Sequence, residues 1–450
     1  MTSASRALVD YFRCPPEFVA FGVMDGLSAD QGYFRFGGAT CFGRRRGDGS
    51  ANPSGHLPDL HDRVDRNGNC LRLPFDFSEV VTNLREERYV RSSDASERLT
   101  GLDPVRRAYY FMRPILPVSV RKHLQRVHLR GWDTIVFPRW PVDHTVDTLM
   151  DLAMALAIEQ LGVERIPFIW FWPEGAPSCA IMTHDVEHGR GRDFCGRLMD
   201  LDESHGVTSS FQIVPESRYS GSQALADDVR GRGFEVNVHD LSHDSHLFRD
   251  HDEFLRRAAR INEYGRRFQA SGFRSAAMYR RQEWFSALEF QYDMSVPSVA
   301  HLEPQRGGCC TVMPYFVGDI VELPLTTIQD YSLFHILGDH SISLWKTQIE
   351  RLLSRHALIS FITHPDYLID DRPRLVYSSL LDHLGRLRDE HKIWLTVPAE
   401  AARWWRSRSR MQLVPHGGSW RIEGPESHRA RLAYMRLEDH RVVYELAASQ

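Results

Sequence analysis

The chain has 450 residues, of which 42% are hydrophobic and 25% are charged, proportions that are ordinary for a folded protein whose length favours two or three domains. Its formal net charge of -4 argues against a general attraction to nucleic acid. The first residues lack the apolar core of a signal peptide, and no later apolar run approaches the roughly 20 residues of a membrane span, so we expect a cytoplasmic protein with no transmembrane segment. The seven cysteines include no Cys-x-x-Cys pair, so we expect neither a disulfide framework nor a thiolate zinc site.

Residues 1–172 are predicted to form an N-terminal accessory domain of mixed α/β structure. The sequence there is irregular, with Gly- and Phe-rich pieces such as residues 34–38 that are typical of short strands and turns. Two helices are predicted near its end, over residues 118–129 and 148–161. The second is apolar almost all round, which indicates a buried helix.

Residues 173–406 have a different sequence pattern, in which apolar runs alternate with segments of helical periodicity. The runs that predict strands lie at 180–182, 210–214, 236–238, 320–325, 358–362 and 393–397. Helical patterns separate several of them, at 194–205, 253–268, 344–355 and 376–388. This alternation predicts an α/β domain with a mostly parallel sheet, open or closed into a barrel, and ligands are expected at the carboxyl ends of its strands.

Residues 407–450 are predicted to form a small C-terminal β appendage. Alternating patterns at 411–414 and 419–422 flank Gly417 and Gly418, which is typical of a hairpin. Residues 441–444 are expected to return as a further strand.

Two polar clusters end apolar runs of the middle region. Asp185 and Glu187 follow the run that starts at residue 180, and His239 and His243 follow the run at 236–238. In an extended segment Asp185 and Glu187 point to one side while Val186 faces away. Two imidazoles and a carboxylate are typical ligands of a single divalent ion. The sequence therefore predicts a metal site at the strand ends and metal-assisted hydrolysis.

The middle region, from about residue 180 to 405, resembles the polysaccharide deacetylase family of carbohydrate esterases, which includes chitin and peptidoglycan deacetylases. The motifs occur in the family's order. They are Thr183-His184-Asp185-Val186-Glu187 in place of Thr-Phe-Asp-Asp-Gly, the His-x-x-x-His of His239 to His243, the arginine of Gly272-Phe273-Arg274, Tyr292-Asp293-Met294-Ser295, and the late histidine of Thr363-His364-Pro365. The resemblance implies a distorted (β/α) barrel of the polysaccharide deacetylase type.

The first motif departs from the family pattern. There the first aspartate is the general base and the second binds the metal, but here Val186 occupies the second position and Glu187 is the next carboxylate. One arrangement keeps Asp185 as the base and makes Glu187 the metal ligand beside the histidines. The other makes Asp185 the ligand and leaves the base to Glu187 or His184. We favour the first, and the sequence leaves both open.

The predicted chemistry explains why these residue types occur together. An amide resists attack by water, so a divalent ion is needed to acidify water and polarise the acyl oxygen. A second carboxylate then takes the proton, and Arg274, if it pairs with that carboxylate, would hold it ionised and oriented. The resemblance implies that His364 protonates the departing amine. We expect Zn²⁺, with Co²⁺, Ni²⁺ or Mn²⁺ as alternatives, and His246 is an alternative to His243 as a ligand.

The resemblance implies hydrolysis of an amide, with an N-acetyl group as the first expectation, on an amino sugar, a glycan precursor or a glycolipid. One alternative is C–N hydrolysis on a formamido sugar or a non-sugar ring. Another is a catalytically silent carbohydrate-binding protein, which Val186 and the absence of a proline and an aromatic residue after Arg274 favour. In each case the expected partner is a sugar-type small molecule, and the oligomeric state stays open.

Overall fold

The computed structural model describes residues 3–66, 70–93 and 129–447. The predicted helix over residues 118–129 lies outside these ranges except for Leu129. Among the described residues, no helix combines the length and the apolar character that crossing a membrane requires. The α-helices there are α1 (Ser3–Phe12), α2 (Phe77–Arg85), α3 (Arg88–Ser93), α4 (Thr145–Leu161), α5 (Gly189–Ser204), α6 (Ser222–Gly231), α7 (His251–Phe268), α8 (Ser343–Leu353), α9 (Asp371–Asp389) and α10 (Pro398–Ser409).

The strands fall into one large sheet and several small ones. Those of the large sheet are β6 (Cys179–Val186), β7 (Ser210–Ile213), β8 (Glu235–His239), β9 (Gly272–Arg274), β10 (Tyr292–Asp293), β11 (Tyr315–Val317), β12 (Ile320–Glu322), β13 (Leu358–Thr363) and β14 (Trp394–Thr396). The others are β1 (Phe21–Val23), β2 (Gly32–Phe36), β3 (Ala39–Gly43), β4 (Leu71–Leu73), β5 (Arg165–Ile169), β15 (Gln412–His416), β16 (Ser419–Glu423), β17 (Leu432–Glu438) and β18 (Arg441–Leu446).

The large sheet confirms the predicted α/β fold with a mostly parallel sheet. Its order is β11-β12-β10-β9-β8-β7-β6-β13, and β14 also pairs with β6. Only the β11–β12 pair is antiparallel, and the other pairs are parallel. Parallel neighbours need crossover connections, and α5, α6 and α7 lie in the connections from β6 to β7, from β7 to β8 and from β8 to β9. Every residue of β6 and β13 is buried, which explains why both strands read as continuous apolar runs.

The large sheet curls until the segment after β12 meets β13. Thr326 Oγ1 donates a hydrogen bond to the Leu358 carbonyl at 2.8 Å, and the Thr326 amide donates to Ser360 Oγ at 3.0 Å. Thr327 Oγ1 donates to the Ser360 carbonyl at 2.7 Å. Hydroxyl groups, in place of a continuous strand ladder, therefore bridge the seam of a curled, barrel-like sheet.

Two predictions for the first 172 residues, the second helix and the Gly-rich turn, can be compared with α4 and with the turn between β2 and β3. Helix α4 begins three residues before the predicted start and ends at the predicted residue, and its core face is buried. Strands β2 and β3 form an antiparallel hairpin whose turn residues, Gly37 and Gly38, have φ of 55° and 81°. Two successive left-handed residues are what a tight hairpin requires, and glycine adopts them without steric cost.

The division into residues 1–172, 173–406 and 407–450 stays a prediction, and hydrogen bonds cross both of its boundaries. Strand β17 pairs with β5 on one side and with β18 on the other. The fully buried Arg408 of α10 donates to the carbonyl groups of Tyr11, Phe12, Ile169 and Trp170. The amino-terminal segment, the sheet domain and the carboxyl-terminal strands are thus joined through backbone groups.

Candidate functional site

Strand β6 delivers two carboxylates to the carboxyl edge of the large sheet. Asp185 is the next-to-last residue of the strand and Glu187 is the first residue beyond it. His239 Nε2 lies 3.6 Å from Asp185 Oδ2 and 3.9 Å from Glu187 Oε1. Both carboxylates therefore face the same imidazole, as the alternation of side chains along an extended segment predicts.

His239 ends β8, and its ring is oriented by the neighbouring strand. Its Nδ1 lies 3.1 Å from the Arg274 carbonyl, and because a carbonyl can only accept, Nδ1 carries the proton of this hydrogen bond. Its Nε2 is buried and has no hydrogen-bond partner in the described part of the chain. A buried acceptor nitrogen that faces two carboxylates needs a proton or a cation between them.

His243 completes a group of three potential metal ligands. Its Nε2 lies 2.8 Å from Glu187 Oε1, and the ligand atoms of Glu187, His239 and His243 all lie within 4.8 Å of one another. One carboxylate and two imidazoles suit a divalent ion such as Zn²⁺, and the buried His239 Nε2, which has no hydrogen-bond partner in the described residues, fits such an ion. His246 is not part of this group, because its ring is 41% exposed and lies beside Asp244 at 3.7 Å.

Arg274 holds Asp185 at the edge of this group. Its Nη1 donates hydrogen bonds to Asp185 Oδ1 and to Thr183 Oγ1, each at 2.7 Å, and its Nε donates to the Met294 carbonyl at 3.1 Å. Thr183 in turn donates to the Phe361 carbonyl of β13 at 2.6 Å. Burial alone would raise the pKa of Asp185, but the charge of Arg274, helped by the nearby imidazoles, holds that pKa below its usual value.

His364 approaches the group from the end of β13. Its Nε2 lies 3.5 Å from Glu187 Oε1, and its Nδ1 lies 2.6 Å from Asp330 Oδ1. The other oxygen of Asp330 accepts the backbone amide of His364 at 2.7 Å. Burial alone would lower the pKa of His364, but the carboxylates of Asp330 and Glu187 raise it well above its usual value. Both carboxylates therefore favour the protonated form of the imidazole.

All six predicted site residues lie in this one cluster, namely Asp185, Glu187, His239, His243, Arg274 and His364. His184 is outside it, because its ring nitrogens contact Thr363 Oγ1 at 2.8 Å and Asp202 Oδ2 at 2.9 Å. These two contacts leave His184 no free ring nitrogen with which to act as a base.

Asp330 was not singled out by the sequence. It lies in the connection between β12 and a π-helical turn at Ser332–Leu337, well past the apolar run that predicted the strand. No strand-end argument reaches that position. Short π-helical turns are frequent beside functional sites. The sequence pattern of such a turn, however, does not distinguish it from an ordinary helix.

Solved structures that resemble this chain include polysaccharide deacetylases, as the motifs suggested. A "putative polysaccharide deacetylase" from Mycobacterium smegmatis is 17% identical over 53% of this chain and 93% of its own, with a TM-score of 0.44. PuuE allantoinase is 12% identical over 52% of this chain and 92% of its own, with a TM-score of 0.42. A mutant of BA3943, a CE4 family pseudoenzyme, with restored enzymatic activity is 14% identical over 50% of this chain and 67% of its own, with a TM-score of 0.32.

No family model matches the chain, and no curated protein matches it. The names of the structural neighbours include an allantoinase, a peptidoglycan deacetylase and a CE4 family pseudoenzyme. The function of this chain therefore has to be inferred from the side chains of its own site.

Proposed function

We propose that this protein is a divalent-metal-dependent hydrolase that removes an acyl group, with N-acetyl as the leading candidate, from the nitrogen of an amino sugar or a sugar-containing precursor. The observation that carries the proposal is the convergence of Glu187 with the buried Nε2 atoms of His239 and His243, beside an Asp185 that Arg274 keeps ionised. A metal site next to a separately held carboxylate is what hydrolysis of an amide by water requires.

Glu187, His239 and His243 are the proposed ligands, and Zn²⁺ is the expected ion, although Co²⁺, Ni²⁺ and Mn²⁺ suit the same donors. When bound, the ion would supply Lewis acidity to the acyl oxygen and lower the pKa of water in the site. The contact between Glu187 and His243 at 2.8 Å supports Glu187 rather than Asp185 as the oxygen ligand.

Asp185 is the proposed general base. Its Oδ1 is occupied by Arg274, while its Oδ2 faces the side of the cluster where His239 Nε2 lies 3.6 Å away. In this orientation, Oδ2 of Asp185 can accept a proton from a water molecule that lies beside the proposed ligands. Arg274 stabilises the charged form that this step needs and fixes the direction of the carboxylate.

His364 is the proposed general acid. Its Nδ1 is bound to Asp330, and its Nε2 points to the Glu187 side of the cluster at 3.5 Å. A protonated imidazole in this position can give its Nε2 proton to the nitrogen that leaves when the C–N bond breaks. Asp185 and His364 would thus move the two protons of the reaction.

The experiment is an assay of released acetate, formate and ammonia from protein loaded with Zn²⁺ or Co²⁺, over N-acetyl and N-formyl amino sugars, their phosphates and nucleotides, chito-oligosaccharides and a cyclic ureide. Acetate release that chelation abolishes and the metal restores supports the proposal. Formate or ammonia release would support the C–N hydrolase alternative instead. Protein that retains no stoichiometric metal and turns over no amide, yet binds sugars, would establish the silent carbohydrate-binding alternative.

A further inference from the structure

The loop that carries His243 has an unusual backbone. Asp240, His243 and Ser245 are not glycines, yet their φ values are 55°, 51° and 65°. Such left-handed conformations are sparsely populated by residues with a side chain and persist only where surrounding contacts hold them. One of the three residues is a proposed metal ligand, so the contacts that hold this loop also determine where that ligand lies.

The two proposed imidazole ligands are oriented in different ways. His239 has a hydrogen bond from Nδ1 to the Arg274 carbonyl, the usual device by which a protein orients a ligating histidine. His243 has no such bond, because its buried Nδ1 finds no hydrogen-bond partner among residues 3–66, 70–93 and 129–447. Apart from the contact of its Nε2 with Glu187 Oε1 at 2.8 Å, the orientation of the His243 ring therefore comes from its backbone and packing.

The backbone beside His243 is tied to helix α7. Asp244 Oδ1 accepts the His246 amide at 2.9 Å and Arg257 Nη1 at 2.8 Å. Arg257 also donates from Nε to Glu253 Oε1 at 2.8 Å, so its guanidinium is fixed within the helix before it reaches the loop. Charge-assisted hydrogen bonds from a planar guanidinium are strong and directional.

We propose that the Asp244–Arg257 ion pair is a positioning device that holds the left-handed loop and thereby sets the His243 ring for metal binding, an inference that rests on the proposed metal site. Arg257 touches no ligand and acts through Asp244, the residue that follows His243 in the chain. Loss of the ion pair should let the loop relax to ordinary backbone angles. This relaxation would displace the His243 ring from the position that metal binding requires. Removing the outer partners of a metal ligand typically lowers metal affinity about 10- to 100-fold.

The test compares Arg257→Met with Arg256→Met. Arg256 lies one residue away on α7 and pairs with Glu253 but not with Asp244, so its loss removes the same charge without touching the loop. Affinity for Zn²⁺ and Co²⁺ is measured by competition with a chromophoric chelator, and the visible spectrum of the Co²⁺ form reports ligand geometry. We expect about 10- to 100-fold weaker binding and an altered Co²⁺ spectrum for Arg257→Met, and no change for Arg256→Met.

Equal affinity and an identical spectrum for wild type and Arg257→Met would overturn the inference and leave the proposed function standing. A wild-type protein that binds neither metal would instead overturn the proposed function, and with it this inference. If Arg257→Met does not fold, the same measurement is made on Asp244→Asn. This variant keeps the shape of the side chain and removes its charge. Asp244→Asn is expected to weaken binding in the same direction, and unchanged binding there would also contradict the role of the ion pair.

Discussion

Replacement of Arg274 by methionine tests how the site holds its proposed base. The guanidinium is almost completely buried and donates to Asp185, Thr183 and the Met294 carbonyl. Without it, Asp185 would remain buried, with 4% of its surface exposed, and would lose the charge that offsets its desolvation. The substitution therefore leaves a buried carboxylate without its guanidinium partner.

The expected loss of stability follows from that unpaired charge. Breaking a buried ion pair by removing one partner costs about 3–5 kcal/mol, because the remaining charge is left without compensation. Removal of both partners leaves neither charge of this pair buried, so the double variant Arg274→Met with Asp185→Asn should recover most of that loss. Lost packing around the methionine is common to both variants and does not distinguish them.

The assay is denaturant unfolding of the metal-free wild type and of the single and double variants at neutral pH, with comparison of midpoints and slopes. We expect the single variant to be the least stable of the three. A double variant as unstable as the single one would refute the reasoning, because the cost would then come from packing or lost neutral hydrogen bonds rather than from the charge of Asp185.

Three further predictions concern the proton-transfer groups and a buried acid pair. Asp185→Asn should retain stoichiometric metal and lose about 10²- to 10⁴-fold in kcat, the usual contribution of a general base; loss of metal, measured by elemental analysis, would instead make Asp185 a ligand. His364→Gln should also retain metal and lose kcat over a similar range, about 10²- to 10⁴-fold, with Asp330→Asn lowering kcat less, and unchanged turnover of either variant would contradict these roles. Burial and the neighbouring Asp293 raise the pKa of Glu322 well above its usual value, so its stabilising contribution is full below about pH 4 and is lost as the pH rises through the raised pKa. Glu322→Gln should therefore flatten the decline of unfolding free energy as the pH rises above about 4. An unchanged slope of that free energy against pH, measured by urea titrations, would be evidence against it.

The proposed ligands could be predicted because they follow strong strand signals. Strands β6 and β8 are buried on both faces and read as apolar runs, so the polar residues at their ends stand out. Alternation then places Asp185 and Glu187 on one side, and the structure has them facing the same imidazole. The order of motifs along the chain supplied Arg274 and His364, which no local pattern identifies.

Other parts of the molecule had no local signal. Strands β9 and β10 have three and two residues, too few for a periodic pattern, and Asp330 reaches His364 from an irregular connection. The β5–β17 pairing joins segments far apart in sequence, and hydrogen bonding between strands is decided by tertiary packing rather than by either segment alone. The left-handed backbone at His243 is equally invisible in the sequence, because the residue types there do not require it.

The most direct test of the proposed metal centre is anomalous scattering from crystals of the protein grown with Zn²⁺. The account predicts one peak bounded by Glu187 Oε1 and the Nε2 atoms of His239 and His243, at about 2.0–2.2 Å from each, with Asp185 still held by Arg274. A peak elsewhere, a peak held by Asp185 without Glu187, or no peak in protein that has been given excess metal would contradict it.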